Sequence, residues 1–263
     1  MRGGRQRPKV LALTFVAACC MSPLLFAVIE SVRSSTGSGL TMSNWADVFS
    51  QLPTGTGLMS FAILAVSASV LTVTVSFLAG FSSAKLPFPG SRVVLTVVIM
   101  TLALPLISAI VPEYLDFAHI HAIGSYLPPI VVYSAFNAAF GVIFFTSYFL
   151  PVPDALLESA RTEGAGYLTF LLRIAVPIAV PALITLGVYD FMLVWNDLLV
   201  ALLFLPQADH QTISVILATI NSAHTVRTQM LLAGSLLSIL PSVVIFLCFQ
   251  RYLVLGFSLG IEK

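Results

Sequence analysis

The chain has 263 residues, 58% of them apolar and 9% charged, where an ordinary soluble domain has about 45–50% and about 25%. Twelve Lys and Arg against eleven Asp and Glu leave a formal charge of +1, which excludes the basic footprint of a nucleic-acid binder. A soluble fold has no place for that much apolar surface, and three cysteines, all inside apolar runs, make no disulfide framework.

The apolar runs set the predicted elements. About 20 mostly apolar residues cross a bilayer as a helix, and six runs qualify: 10–29, 58–84, 93–112, 130–150, 174–205 and 230–252. The first three carry no charge, the fourth follows Pro128-Pro129, and the fifth is apolar apart from Asp190 and Asp197. Continuous runs of this length argue against a membrane β-barrel, whose strands alternate over about ten residues. The expectation is an all-α integral membrane protein whose residues 1–263 form one transmembrane domain. Arg2 to Lys9 followed by an apolar run looks like the start of a secretory signal, and Val16-Ala17-Ala18-Cys19 looks like a lipoprotein cleavage box. Such signals precede soluble domains; five further spans follow here, so an uncleaved first helix is expected.

Basic residues set the orientation, since Lys and Arg concentrate in cytoplasmic loops. With a cytoplasmic N-terminus, ten fall inside and only Arg33 and Arg227 outside. Both termini are therefore expected in the cytoplasm. Residues 31–57 form an outside segment with Trp45 as an interface anchor, and 85–92 form a short inside turn on Pro87, Pro89 and Gly90. Residues 113–121 and 206–229 are outside, the latter with a short interfacial helix over 212–220.

The inside loop 151–173 has a pattern of its own. Pro151 and Pro153 end the fourth span, Asp154 is a natural N-cap, and a short helix is predicted over 155–163. Gly164 and Gly166 allow a reversal that a Cβ resists, and 167–173 reads as a second short helix. Ala155, Ser159 and Thr162 fall on one face, while Glu158 and Arg161, three apart, suit pairing with each other or with a partner. A helix this short is marginal in water by itself. Packing must hold it; a docked soluble subunit is one source, and the alternative is a solvated connector.

Glu158-Ser159-Ala160-Arg161-Thr162-Glu163-Gly164-Ala165, followed by Phe170, Ile174, Pro177 and Pro181, resembles the EAA loop of ABC-importer permeases. Phe145-Thr-Ser-Tyr-Phe149 before it, Trp195-Asn196-Asp197-Leu198 and 202–206 after it, and the stretch from Phe249 to Gly256 are similar to the carbohydrate branch with six spans, the maltose type. Ser159 stands where that branch usually has Ala, Glu163 where it has Asp, and the last five residues depart from its usual ending. The resemblance implies an ABC-importer permease fold with a cytoplasmic coupling helix. It assigns ATPase coupling to Glu158, Ser159, Ala160, Arg161, Glu163, Gly164 and Ala165. It implies a second permease, two ATPase subunits carrying ATP and Mg, and an extracytoplasmic sugar-binding protein, in a bacterial-type cytoplasmic membrane. Much of the sugar site would then lie on the other permease.

Asp190 and Asp197 are acids in an apolar run, each costing a few kcal/mol unless paired or wetted. Seven residues apart, they belong on one helix face; with Trp195 and Asn196 they are candidates for packing, gating or a pathway. A proton relay through them defines the rival reading, an ion-gradient-driven secondary transporter. His119 and His121 lie near Glu113 and Asp116 without ligand spacing, and His210 and His224 stand apart. Gly141 and Gly187 suit close helix packing. Of three lysines none follows a glycine, so the phosphate-cradling Gly-x-x-x-x-Gly-Lys loop is missing. Any ATP is then hydrolysed by another chain, and no cofactor is expected here.

Overall fold

The computed structural model describes residues 7–34, 39–86, 88–222 and 227–258. Regular structure among them is helical, apart from a single bridge between Arg33 and Leu40. In chain order the helices are α1 (Arg7–Ser31), α2 (Ser43–Gln51), α3 (Thr54–Lys85), α4 (Ser91–Thr101), α5 (Leu106–His119), α6 (Leu127–Phe149), α7 (Ala155–Thr162), α8 (Tyr167–Phe170), α9 (Val176–Asn196), α10 (Leu199–Phe204), α11 (Ile213–Ser222) and α12 (Thr228–Ser258). Among the described residues five helical stretches are long and apolar enough to cross a membrane, or six if the bent pair α4 and α5 counts as one span. Arg2, Arg5, Pro87, His224 and the last five residues lie outside the described residues.

The boundaries differ from the hydropathy runs where proline and side-chain capping intervene. The expected span 93–112 is two helices bent by 99° at a four-residue break. Leu102, Ala103 and Leu104 make only i→i−3 bonds at the end of α4, and Pro105 enters α5 in an extended conformation. A residue before proline is pushed away from α geometry, and proline has no N–H to continue the ladder. Glu113, expected in a loop, is part of α5. Helix α6 starts at Leu127, before the prolines, because Pro128 and Pro129 sit in its first turn, where proline costs no hydrogen bond. Residues 167–173 are no separate helix: α8 runs through a π turn (Leu171–Ala175) into α9. The wider turn closes with Val176 N–H on the Leu171 carbonyl, just ahead of Pro177 in the first turn of α9, and so accommodates the donor that proline lacks.

The chain forms two compact units. In the first, residues 1–58 and 213–241, buried Asn44 of α2 donates its amide to the Ser31 and Arg33 carbonyls at 2.9 and 3.0 Å. That bond pair satisfies carbonyls left free past the end of α1. No residue in the apolar window of α1 is buried, which suits a lipid-facing helix.

The second unit, 59–212 with 242–263, holds the aromatic core. Phe77, Phe81, Phe145, Phe149 and Phe170 bury against Ala160, Ala175, Ala179 and Leu186. Ring centroids lie 5.5 Å apart for Phe77–Phe145, 5.1 Å for Phe81–Phe149 and 5.9 Å for Phe81–Phe170, within the range of favourable ring pairing. Helices α3 and α6 meet at glycines: a Cβ on Gly80 would collide with Phe145 and Thr146, and one on Gly141 with Ser76. Gly187, the other expected packing glycine, has only ordinary contact space toward Val73.

Candidate functional site

Helix α7 is held from beneath and presented from above. Leu157 and Ala160 pack on the aromatic core, Ala160 being 6% exposed. Its end is a Schellman turn: Ala165 N–H bonds the Ala160 carbonyl at 2.9 Å, with Gly164 between at φ +80°. Positive φ suits glycine, so the turn is written by that residue. Ala155, Glu158, Ser159, Thr162 and Glu163 are exposed and Ala165 is half-buried; the side chain of Arg161 lies outside the described residues. The small face expected from spacing is therefore the outward one, and Ala160 faces in. The backbone carbonyl of Asp154 accepts the Leu157 and Glu158 N–H groups, and its carboxylate accepts from the Lys85 ammonium at 2.7 Å. Lys85 was visible in the sequence only as an inside basic residue.

A second group lies within the spans. Asp190 of α9 is 1% exposed, and Asn137 of α6 donates to its Oδ1. The Ser69 and Thr72 hydroxyls of α3 face the same carboxylate, though Oδ2 and both hydroxyls make no bond of standard geometry. Polar groups from two other helices thus converge on one acid, the arrangement an intramembrane carboxyl needs. Beside it, Phe136, Asn137, Phe140, Tyr189 and Asp190 line a cavity of about 220 Å³.

Asp197 faces α6, as Asp190 does, since its partner Tyr133 stands four residues before Asn137 on that helix, but it lies one residue past the end of α9. Helix α9 ends at Asn196, and Asp197 is extended at φ −81° and ψ 139°. Its Oδ1 accepts the Val200 N–H at 2.9 Å and the Tyr133 hydroxyl at 2.8 Å. A side chain that captures a free N–H starts a new helix, here α10, so the expected span 174–205 stops at Asn196. Trp195 is 4% exposed, stacked between Phe61 at 4.8 Å and Phe191 at 5.2 Å. Asn196 donates to Met192 O at 2.6 Å and Ser242 Oγ at 3.3 Å. Asn137 and Tyr133 were missed because their partners lie 53 and 64 residues away.

Long apolar helices, an acid held within a span and a short polar helix between two spans mark a multi-pass membrane protein. The model of the family described as binding-protein-dependent transport system inner membrane component matches residues 76–257. The osmoprotective compounds uptake permease protein GgtD of Synechocystis sp. is 28% identical over 84% of this chain and 75% of its own length. The arabinooligosaccharides transport system permease protein AraQ of Halalkalibacterium halodurans is 26% identical over 95% of this chain and 94% of its own. Among solved structures, a chain of a bacterial ABC transporter involved in the import of the acidic polysaccharide alginate aligns at a TM-score of 0.84 and 18% identity, covering 96% of this chain and 99% of that one. A bacterial alginate ABC transporter in complex with alginate pentasaccharide-bound periplasmic protein gives 0.72 at 15% identity, covering 94% of each. The chain belongs to the family of binding-protein-dependent transport system inner membrane components. It is a permease subunit of an ABC transporter and not an enzyme.

Proposed function

We propose that this chain is the membrane-spanning subunit of an ATP-driven importer for a carbohydrate, with α7 as the helix that docks on an ATPase subunit. The observation that carries this is the geometry of α7: anchored through Leu157 and Ala160, it offers Glu158, Ser159 and Thr162 outward. A fixed helix with a small, polar outer face transmits force, where a loose connector would absorb it. Glu158, Ser159, Arg161, Glu163 and the Gly164–Ala165 turn form the contact; Ala160 holds the helix down.

The partners in this reading are a second permease, two ATPase subunits with ATP and Mg, and an extracytoplasmic binding protein that delivers the sugar. Nucleotide and metal bind to the ATPase subunits in this reading. Family membership, the names of the relatives and the ten-to-two basic bias support the assignment, with both termini and α7 on the cytoplasmic side. Transport proceeds by alternating access, and ATP acts only through its different affinity for the two states. The ion-gradient rival would have to use acids that already have partners, Asp190 with the Asn137 amide and Asp197 with the Tyr133 hydroxyl and the Val200 N–H.

The test is uptake into proteoliposomes holding the complete importer, scanned over labelled α-glucosides and arabinooligosaccharides with their binding protein outside. Uptake that requires internal ATP supports the reading. Uptake that runs on an imposed proton or sodium gradient without ATP transfers the function to the rival.

A further inference from the structure

Lys85 is the last residue of α3, and its side chain is only 7% exposed. The ammonium donates to two acceptors at the entrance of α7: the Val152 carbonyl and Asp154 Oδ1, the latter at 2.7 Å. Val152 stands between Pro151 and Pro153, where the end of α6 leaves a carbonyl without a helical N–H. Lys85 lines an apolar slot together with Phe81, Phe149, Leu156 and Phe170. A buried ammonium is stable only with its charge paired and its donors used. The two acceptors are 67 and 69 residues away in sequence, so one side chain joins the end of α3 to the start of the docking helix.

We propose that Lys85 is a positioning residue, a pin that makes the end of α3 move with α7. The inference rests on the docking role of α7 proposed above. A long helix is a stiff rod, and interfaces between packed elements switch between discrete arrangements instead of bending continuously. Displacement of α7 by an ATPase subunit therefore reaches α3 by two routes, the Phe81–Phe149–Phe170 contacts and the Lys85 bridge. The ring contacts are non-directional and permit sliding, whereas the bridge fixes two specific atoms of the α7 entrance.

Lys85→Met keeps an unbranched apolar stem beside the slot and removes both hydrogen bonds. Lys85→Arg keeps a cation with donors for both acceptors. The experiment is hydrogen exchange on the purified complete importer, with and without ATPγS. Peptides covering 80–86 and 155–162 are compared in wild type, Lys85→Met and Lys85→Arg. The expected result is a nucleotide-dependent change of about fivefold or more in both peptides of wild type and Lys85→Arg, a range that local opening readily spans. In Lys85→Met the change should survive in 155–162 and fall below about twofold in 80–86, with the ATPase subunit still co-purifying. An unchanged response of 80–86 in Lys85→Met overturns the pin. Loss of the ATPase subunit from Lys85→Met overturns it as well, because Lys85 would then only hold the loop folded. Absence of any response at 155–162 in wild type instead removes the docking role of α7, and the pin with it.

Discussion

Asp190 and Asp197 sit seven residues apart in one apolar run and have opposite fates. Asp190 stays in the helix, 1% exposed, and draws an amide and two hydroxyls from neighbouring helices around it. Asp197 leaves the helix and spends its carboxylate on the Val200 N–H and the Tyr133 hydroxyl. An acid in an apolar run therefore either stays in its helix among polar groups from other helices or, as at Asp197, takes one such group and also caps the helix that follows. Residue type and spacing alone do not say which, because the choice depends on what the other helices bring.

Substitutions separate the two fates, and the largest effect is expected at Asp190. Asp190→Lys sets an ammonium against the Asn137 amide donors in a buried site, and a lysine costs up to about 2.5–3.5 kcal/mol at the centre of a span on insertion scales. Loss of the monodisperse complex in size-exclusion chromatography is expected, and a normal peak would show that the site is wet. Asn137→Leu comes next: it strips the carboxylate of its donor, and an unsatisfied buried group costs about 1–3 kcal/mol. Its melting temperature should drop well below that of Asp190→Asn, which keeps a polar side chain of the same shape; equal values would mean that the pair contributes nothing. Asp197→Ala should cost about 1 kcal/mol, as loss of a helix cap does, and Asp197→Asn should recover most of it. If Asn is as damaging as Ala, charge and not capping is what Asp197 supplies. The smallest effect is on stability but decides orientation: cysteines at Ser82 and Ser222, without native cysteines, are probed by an impermeant thiol reagent outside intact cells. Labelling of Ser222→Cys alone fits the account, while labelling of Ser82→Cys alone inverts it.

Much of this architecture was readable in advance, because membrane spans are written in long stretches that lipid forces into helices. The α7 loop was equally readable: Pro151, Pro153 and Gly164 act through local backbone chemistry and kept their predicted roles, with Gly164 at φ +80°. The bend between α4 and α5 had a local signal in Leu104-Pro105, but hydropathy averages across it. The end of α9 had no such signal, since Asp197 is held in part by Tyr133, 64 residues away. Lys85 is the same case, with acceptors 67 and 69 residues distant. Local rules placed the elements, and long-range polar contacts placed the atoms between them.

The central claim is that α7 is a fixed docking helix, and Ser159→Trp tests it most directly. Ser159 is exposed, so the substitution leaves the aromatic core, the Schellman turn and the membrane spans untouched. An added indole has no room in a close-packed interface. The account predicts that Ser159→Trp enters the membrane and pairs with the second permease normally, but that the ATPase subunit no longer co-purifies and sugar uptake is lost. Wild-type retention of the ATPase subunit together with wild-type uptake would contradict it, and the loop would be a solvated connector.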